Sequence, residues 1–252
     1  MAHKIDYELI GDDMQAVIIT LDAGEMVQAE AGAMMYMTDG VQMNTESAGG
    51  LLKGVKRILA GESFFITTFQ NAGRSQEKVA FAAPYPGKII PMDLTKMGTM
   101  LCQRDTYLCS AYGIDISVAF TKRLGAGFFG GEGFILQRLQ GDGLAFVHAG
   151  GTIMEKQLAA GETLKVDTGC LVAFQESADY DIQFVGGIKT AFFGGEGLFF
   201  AKLTGPGTVY LQTLPFSRLA DRVVAASRSS REEVKRGASV LGALGDIIGG
   251  DR

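Results

Sequence analysis

One stretch of this chain occurs twice. "FFGGEGFILQRLQGDGLAFVHA" (128–149) lies over "FFGGEGLFFAKLTGPGTVYLQT" (192–213) at a shift of 64 residues. A chain that repeats can adopt only a fold that its repeat unit can build several times over. A further shift of 70 brings in "ILAGESFFITTF" (58–69). In that copy Gly61-Glu62 stands where the others have Gly131-Glu132 and Gly195-Glu196, and Ile58-Leu59 replaces the pairs Phe128-Phe129 and Phe192-Phe193. The front halves correspond as well. "LDAGEMVQAEAGAMMYM" (21–37) and "LAAGETLKVDTGCLVAF" (158–174) share a Gly-Glu turn and a second glycine eight residues later, and "MGTMLCQRDTYLCSA" (97–111) is a weaker middle copy. The units therefore run over about 15–83, 84–148 and 149–213.

The filling of each unit points to β-structure. Short apolar runs are separated by glycines, of which there are 35, the punctuation of tight turns between strands. Phe134, Ile135, Leu136 and Leu139 make both faces of their run apolar, as in a strand packed on two sides. We expect an all-β body over 1–214, made of three tandem β-sandwich or barrel-like units in a pseudo-threefold arrangement. Beyond Pro215 the pattern becomes helical. Ser217 is a candidate cap, Leu219, Val223, Val224 and Val234 recur among arginines, and Gly237 is a natural stop. A C-terminal helix over 215–236 and a Gly/apolar tail over 237–252 follow.

The repeat also disposes of a nucleotide-binding reading. Gly125-Ala126-Gly127-Phe128-Phe129-Gly130 matches G-x-G-x-x-G, but the third copy replaces the first two glycines by Lys189 and Ala191 while keeping Phe-Phe-Gly-Gly-Glu-Gly. No helical period follows, and a pyrophosphate loop needs a helix N-terminus there. The shared glycines serve a turn.

With those residues in hand, "AEAGAMMYM" (29–37), "LAGESFFITTF" (59–69), the paired "FFGGEG" turns and "LPFSRLADRVVAA" (214–226) together resemble the altered-inheritance-of-mitochondria protein 24 family. The resemblance runs from about Tyr7 to Ala226. It implies a fold similar to the tryptophan RNA-binding attenuator protein, with three small β-units in one chain. Mitochondrial members are linked to inner-membrane organisation; the family supplies no catalytic residues to carry over, and a shared fold does not transmit function.

Candidate sites are few. Glu25, Glu62, Glu132, Glu162 and Glu196 each follow a glycine at a corresponding turn, where bonding to turn amides or pairing with Arg138 or Lys202 accounts for them. The two histidines, His3 and His148, and the three cysteines, Cys102, Cys109 and Cys170, form no ligand or nucleophile motif. The cysteines read as buried, reduced thiols of a cytoplasmic protein. No catalytic residue, metal site or cofactor is expected. With 28 acidic against 23 basic residues and no tryptophan, the composition argues against nucleic acid as a partner. The candidate interaction surface is Leu51, Leu52, Val55, Ile58 and Leu59, at helical spacing among Lys53, Lys56 and Arg57, together with Phe128, Phe129, Phe192 and Phe193.

The leading functional expectation is a non-catalytic, self-assembling scaffold or binding protein, with a homo-oligomer and a protein bound through the C-terminal tail as its partners. The alternatives are attachment to a membrane surface through 51–59 and the tail, and a small-ligand or single-stranded RNA module.

Overall fold

The computed structural model describes residues 1–44, 66–122, 134–184 and 199–227. After a leading strand β1 (Asp6–Ile10), the strands fall into three groups of six. The first holds β2 (Ala16–Leu21), β3 (Met26–Glu30), β4 (Met34–Met37), β5 (Val41–Asn44), β6 (Ile66–Asn71) and β7 (Glu77–Ala82). The second holds β8 (Gly87–Asp93), β9 (Met100–Gln103), β10 (Tyr107–Ala111), β11 (Asp115–Lys122), β12 (Phe134–Gln140) and β13 (Leu144–Gly150). The third holds β14 (Ile153–Leu158), β15 (Thr163–Asp167), β16 (Leu171–Gln175), β17 (Asp179–Phe184), β18 (Phe199–Thr204) and β19 (Gly207–Gln212). The architecture is all-β, as expected.

One pairing scheme recurs in each group. The first strand pairs antiparallel with the sixth and the second with the fifth; the third pairs with the sixth and the fourth with the fifth. Each group is thus two three-stranded half-sheets whose apolar faces meet. Phe69 of β6 lies edge to face on Phe81 of β7 at 5.2 Å, and Phe174 of β16 meets Tyr180 of β17 at 5.3 Å. Phe69, Phe81, Phe134, Phe146 and Phe174 are all fully buried, and burial of each such ring contributes on the order of 2 kcal/mol.

The groups are joined by sheet extension. β3 pairs with β10, and β9 pairs with β16, giving two six-stranded sheets of order β5-β6-β3-β10-β13-β8 and β11-β12-β9-β16-β19-β14. Two partial sheets remain, β1-β2-β7-β4 and β15-β18-β17. Among the described residues the strand pairing does not close into a ring, and the pseudo-threefold arrangement expected from the sequence is not confirmed by it.

The Gly-Glu turns explain their own sequence. Before β3, Gly24 adopts φ 85°, the Glu25 N–H donates to the Asp22 carbonyl at 3.0 Å, and the Asp22 N–H donates to Glu25 Oε2 at 2.7 Å. Before β15 the same turn is built by Gly161 (φ 79°), Ala159 and Glu162, with bonds of 3.0 and 2.9 Å. A left-handed residue needs glycine, and the carboxylate satisfies an amide that the turn would otherwise leave open. The middle group departs from this. There a single helical turn, Leu94–Met97, is capped by the Asp93 side chain and stopped by Gly98. The additional residues before β7 are organised by buried Asn71, whose amide donates to the carbonyls of Leu21 (2.9 Å) and Ser75 (2.8 Å) while its oxygen accepts from the Gly73 N–H (2.8 Å).

The chain divides into two compact units, Met1–Pro215 and Phe216–Arg252. In the second, residues 216–227 form a helix; the rest of the helix expected to 236 and the tail over 237–252 lie outside the described residues.

Nothing lies within 4 Å of a Cβ built on Gly24 or Gly161, so an alanine there meets only backbone strain. Gly24→Ala and Gly161→Ala should each cost about 1 kcal/mol in urea unfolding. Glu25→Ala and Glu162→Ala should cost a similar ~1 kcal/mol through the lost hydrogen bond. Unchanged midpoints would contradict the turn chemistry.

Candidate functional site

The residues singled out from the sequence as an interaction surface, Leu51, Leu52, Val55, Ile58, Leu59, Phe128, Phe129, Phe192 and Phe193, lie outside the described residues. So do the repeat turns Gly61, Glu62, Gly131, Glu132, Gly195 and Glu196. Among the described residues two other features stand out, a sheet edge and a polar cluster.

The edge is β4. It pairs on one side with β7, with a register shift between Met34 and Tyr36. Its counterparts make the same shift against their own sixth strands, β10 between Tyr107 and Cys109 and β16 between Leu171 and Ala173. Tyr36 thus corresponds to Cys109 and Ala173. On its other side β10 is covered by β3 and β16 by β9, whereas β4 has no second partner among the described residues. The consequence is visible in exposure. Cys109 and Ala173 are 0% exposed, while Met35 is 60% and Tyr36 and Met37 are each 38% exposed. Natural edge strands are usually blunted by charge or proline; the run Met34-Met35-Tyr36-Met37 carries neither. The sequence gives one hint, since apolar residues on both faces of a strand suit a covered strand.

The polar cluster sits beside the seam of β3 and β10. Inside the seam, the Gln28 side chain donates to Ser110 Oγ (3.1 Å) and to the Ile114 carbonyl (2.7 Å), and Tyr107 OH donates to the Gln28 carbonyl (3.1 Å). These buried groups are satisfied and fix how the two half-sheets meet. At the end of β3, burial pushes the Glu30 carboxyl up to about 7; the Asp105 carboxylate adds to the rise and Arg104 opposes it. Burial likewise pushes Tyr85 up to about 12, helped by the carboxylates of Asp105 and Glu30. The Tyr85 ring lies edge-on to His148 at 4.5 Å. His148 is 3% exposed, and neither ring nitrogen makes a hydrogen bond of good geometry, although the Tyr85 backbone is adjacent. Burial lowers its pKa to about 4, so the imidazole is neutral in the folded protein. No sequence signal joins Glu30, Tyr85, Asp105 and His148.

The other singled-out residues are placed as follows. Glu25 and Glu162 bond to turn amides. Among the described residues Arg138 pairs with Glu176 at 2.5 Å. Cys102 and Cys109 are buried free thiols, whereas Cys170 is only half-buried. Burial raises Cys102 to about 12 and Cys109 well above the usual thiol range, which disfavours the thiolate a nucleophile would need. Among the described residues, no three His, Cys, Asp or Glu side chains come together as metal ligands, and no helix is long and apolar enough to cross a membrane.

The sequence profile of the family described as mitochondrial biogenesis AIM24 matches residues 7–214. The chain is 29% identical over 212 residues to the uncharacterized protein M6_Spy0233 of Streptococcus pyogenes serotype M6, covering 81% of this chain and 83% of the relative. Its fold is similar to the X-ray crystal structure of protein SPYM3_0169, also from Streptococcus pyogenes. That match has a TM-score of 0.74 and 25% identity, and covers 88% of this chain and all of the other.

Two opposite pH effects follow from the cluster. Unfolded His148 takes up a proton below about 6.5 and folded His148 only below about 4, so its contribution to stability is lost as pH falls from 6.5 to 4. Glu30 behaves in reverse. It is protonated when folded up to about 7 and ionised when unfolded above about 4.5, so its contribution is lost as pH rises from 4.5 to 7. Relative to wild type, His148→Gln should gain stability towards pH 4 and Glu30→Gln should gain towards pH 7, read as urea midpoints across the range. Profiles parallel to wild type would contradict both assignments.

Proposed function

The chain belongs to the mitochondrial biogenesis AIM24 family, and we propose that it acts as a non-catalytic scaffold or binding protein that assembles with itself. The observation that carries this reading is the uncovered apolar edge at Met34–Met37, at positions where the same fold elsewhere in the chain buries its residues completely. An unpaired strand presents a row of N–H and C=O groups together with apolar side chains, which is the chemistry of strand addition. The polar cluster supports the non-catalytic part of the reading. Its imidazole is buried and neutral, its tyrosine is held protonated, and the nearby thiols are held as thiols. A buried neutral imidazole, a protonated phenol and protonated thiols are poorly placed to exchange protons with a substrate.

Size-exclusion chromatography with light scattering tests the assembly directly. The expected mass is a multiple of the 26.8 kDa chain at micromolar concentration. A mass of one chain at every concentration up to 100-fold higher would overturn the proposal.

A further inference from the structure

Each complete six-stranded sheet in this protein is assembled from two halves by one rule. The half made of a group's fourth, fifth and second strands is followed by the half made of the next group's third, sixth and first strands. The rule is used twice, at β3–β10 and at β9–β16. The half-sheets left over are β17-β18-β15 and β4-β7-β2, the latter extended by β1. They are the two halves of a third sheet built on the same rule, and each ends in the strand that the rule would join. Among the described residues the chain therefore carries one edge of each kind.

From this we infer that β4 of one copy pairs antiparallel with β15 of a second copy, completing a sheet of order β17-β18-β15-β4-β7-β2-β1 across the two molecules. The inference rests on the self-assembly reading above and specifies its surface.

The register can be read from the two seams already present. At the first, Cys109 is opposite Ala29, Ser110 opposite Gln28 and Ala111 opposite Val27. At the second, Ala173 is opposite Cys102, Phe174 opposite Leu101 and Gln175 opposite Met100. The shared register shift places Tyr36 with Cys109 and Ala173. The matching Gly24 and Gly161 turns place Val166 of β15 with Ala29 of β3. Tyr36 is then opposite Val166, Met37 opposite Lys165, and Thr38 opposite Leu164. Each present seam also ends on one further backbone bond, Tyr112 N–H to the Met26 carbonyl (3.2 Å) and Glu176 N–H to the Thr99 carbonyl (3.0 Å). The corresponding bond at the new seam runs from the Asp39 N–H to the Thr163 carbonyl.

The side chains suit this partner. Tyr36 and Met37, like Met35, are exposed apolar members of β4, and on β15 Val166 is already buried against its own half-sheet. Lys165 is exposed, so its methylene stem can lie over Met37 with the ammonium in water. A second copy is the occupant because the complementary half-sheet is this chain's own. The contact is head to tail, and repeating it gives either a closed ring or a filament, according to the rotation between copies.

The test mixes two differently tagged chains, Met37→Cys and Lys165→Cys, both carrying Cys170→Ser to remove the half-buried native thiol. Directly opposed residues on antiparallel strands lie within disulfide reach. Under mild oxidation the mixture should give a reducible two-chain species bearing both tags, absent when either chain is oxidised alone. In the double variant Met37→Cys/Lys165→Cys, a ladder of linked chains is expected. A reducible one-chain species with internal closure instead would overturn the inference. As a readout that needs no oxidation, Met37→Lys should weaken association at least 10-fold with unchanged circular dichroism, and adding Lys165→Glu should restore it. If wild type is an oligomer yet no mixed cross-link forms and Met37→Lys leaves its mass unchanged, the edge inference falls while the self-assembly reading stands. If wild type is a monomer, both fall.

Discussion

The backbone of a β-strand has hydrogen-bonding groups on both sides, and the organisation of this protein depends on where the second side is satisfied. Within each group of six strands the half-sheets are only three strands wide. Their inner edges are covered by the neighbouring group at β3–β10 and β9–β16. Because each seam also buries β10 and most of β16, the groups are coupled through sheet continuity as well as through side-chain packing. Stability in such an array comes from nearest-neighbour interfaces, and among the described residues the terminal half-sheets are the ones that lack a neighbour. That lack is the physical origin of the exposed methionines and tyrosine at Met35–Met37.

Polar groups near the seams behave consistently with this. Gln28, Ser110 and Tyr107 are buried, mutually bonded and set across the first seam. Glu30, Asp105, Tyr85 and His148 gather at its end, where burial shifts three of the four towards their neutral forms. At the position corresponding to His148 in the third group, Gln212 accepts from the Gly150 N–H and donates to the Gly169 carbonyl, both at 2.8 Å. His148 makes neither kind of bond. The middle group thus carries an imidazole whose nitrogens make no hydrogen bond of good geometry where the last group carries a satisfied amide.

Much of this could be read from the chain, and the rest could not for definable reasons. The Gly-Glu turns were legible because their chemistry is local: Gly24 and Gly161 supply φ, and Glu25 and Glu162 reach back three residues to an amide. The all-β class was legible because glycine punctuation and short apolar runs reflect strand and turn directly. The edge was not. Met34–Met37 is as apolar as "TYLCSA" or "CLVAF", and only the presence of a neighbour distinguishes a covered strand from a bare one. The Glu30–His148 cluster was also hidden, since it joins residues more than a hundred positions apart whose types match no motif. Arg138 is one of several partners the chain offers for the turn glutamates; among the described residues it pairs with Glu176, which the order β12-β9-β16 brings within reach.

The claim at the centre is that the amides along β4 and β15 are satisfied by another copy of the chain. Backbone hydrogen exchange followed over a wide range of protein concentration measures that directly. The seam-facing amides of Met37, Asp39 and Lys165 should become more protected together as concentration rises, while those of β10 and β16 stay protected throughout. Exchange at these three amides that is fast at every concentration, or slow even when the chain is monomeric, would contradict it.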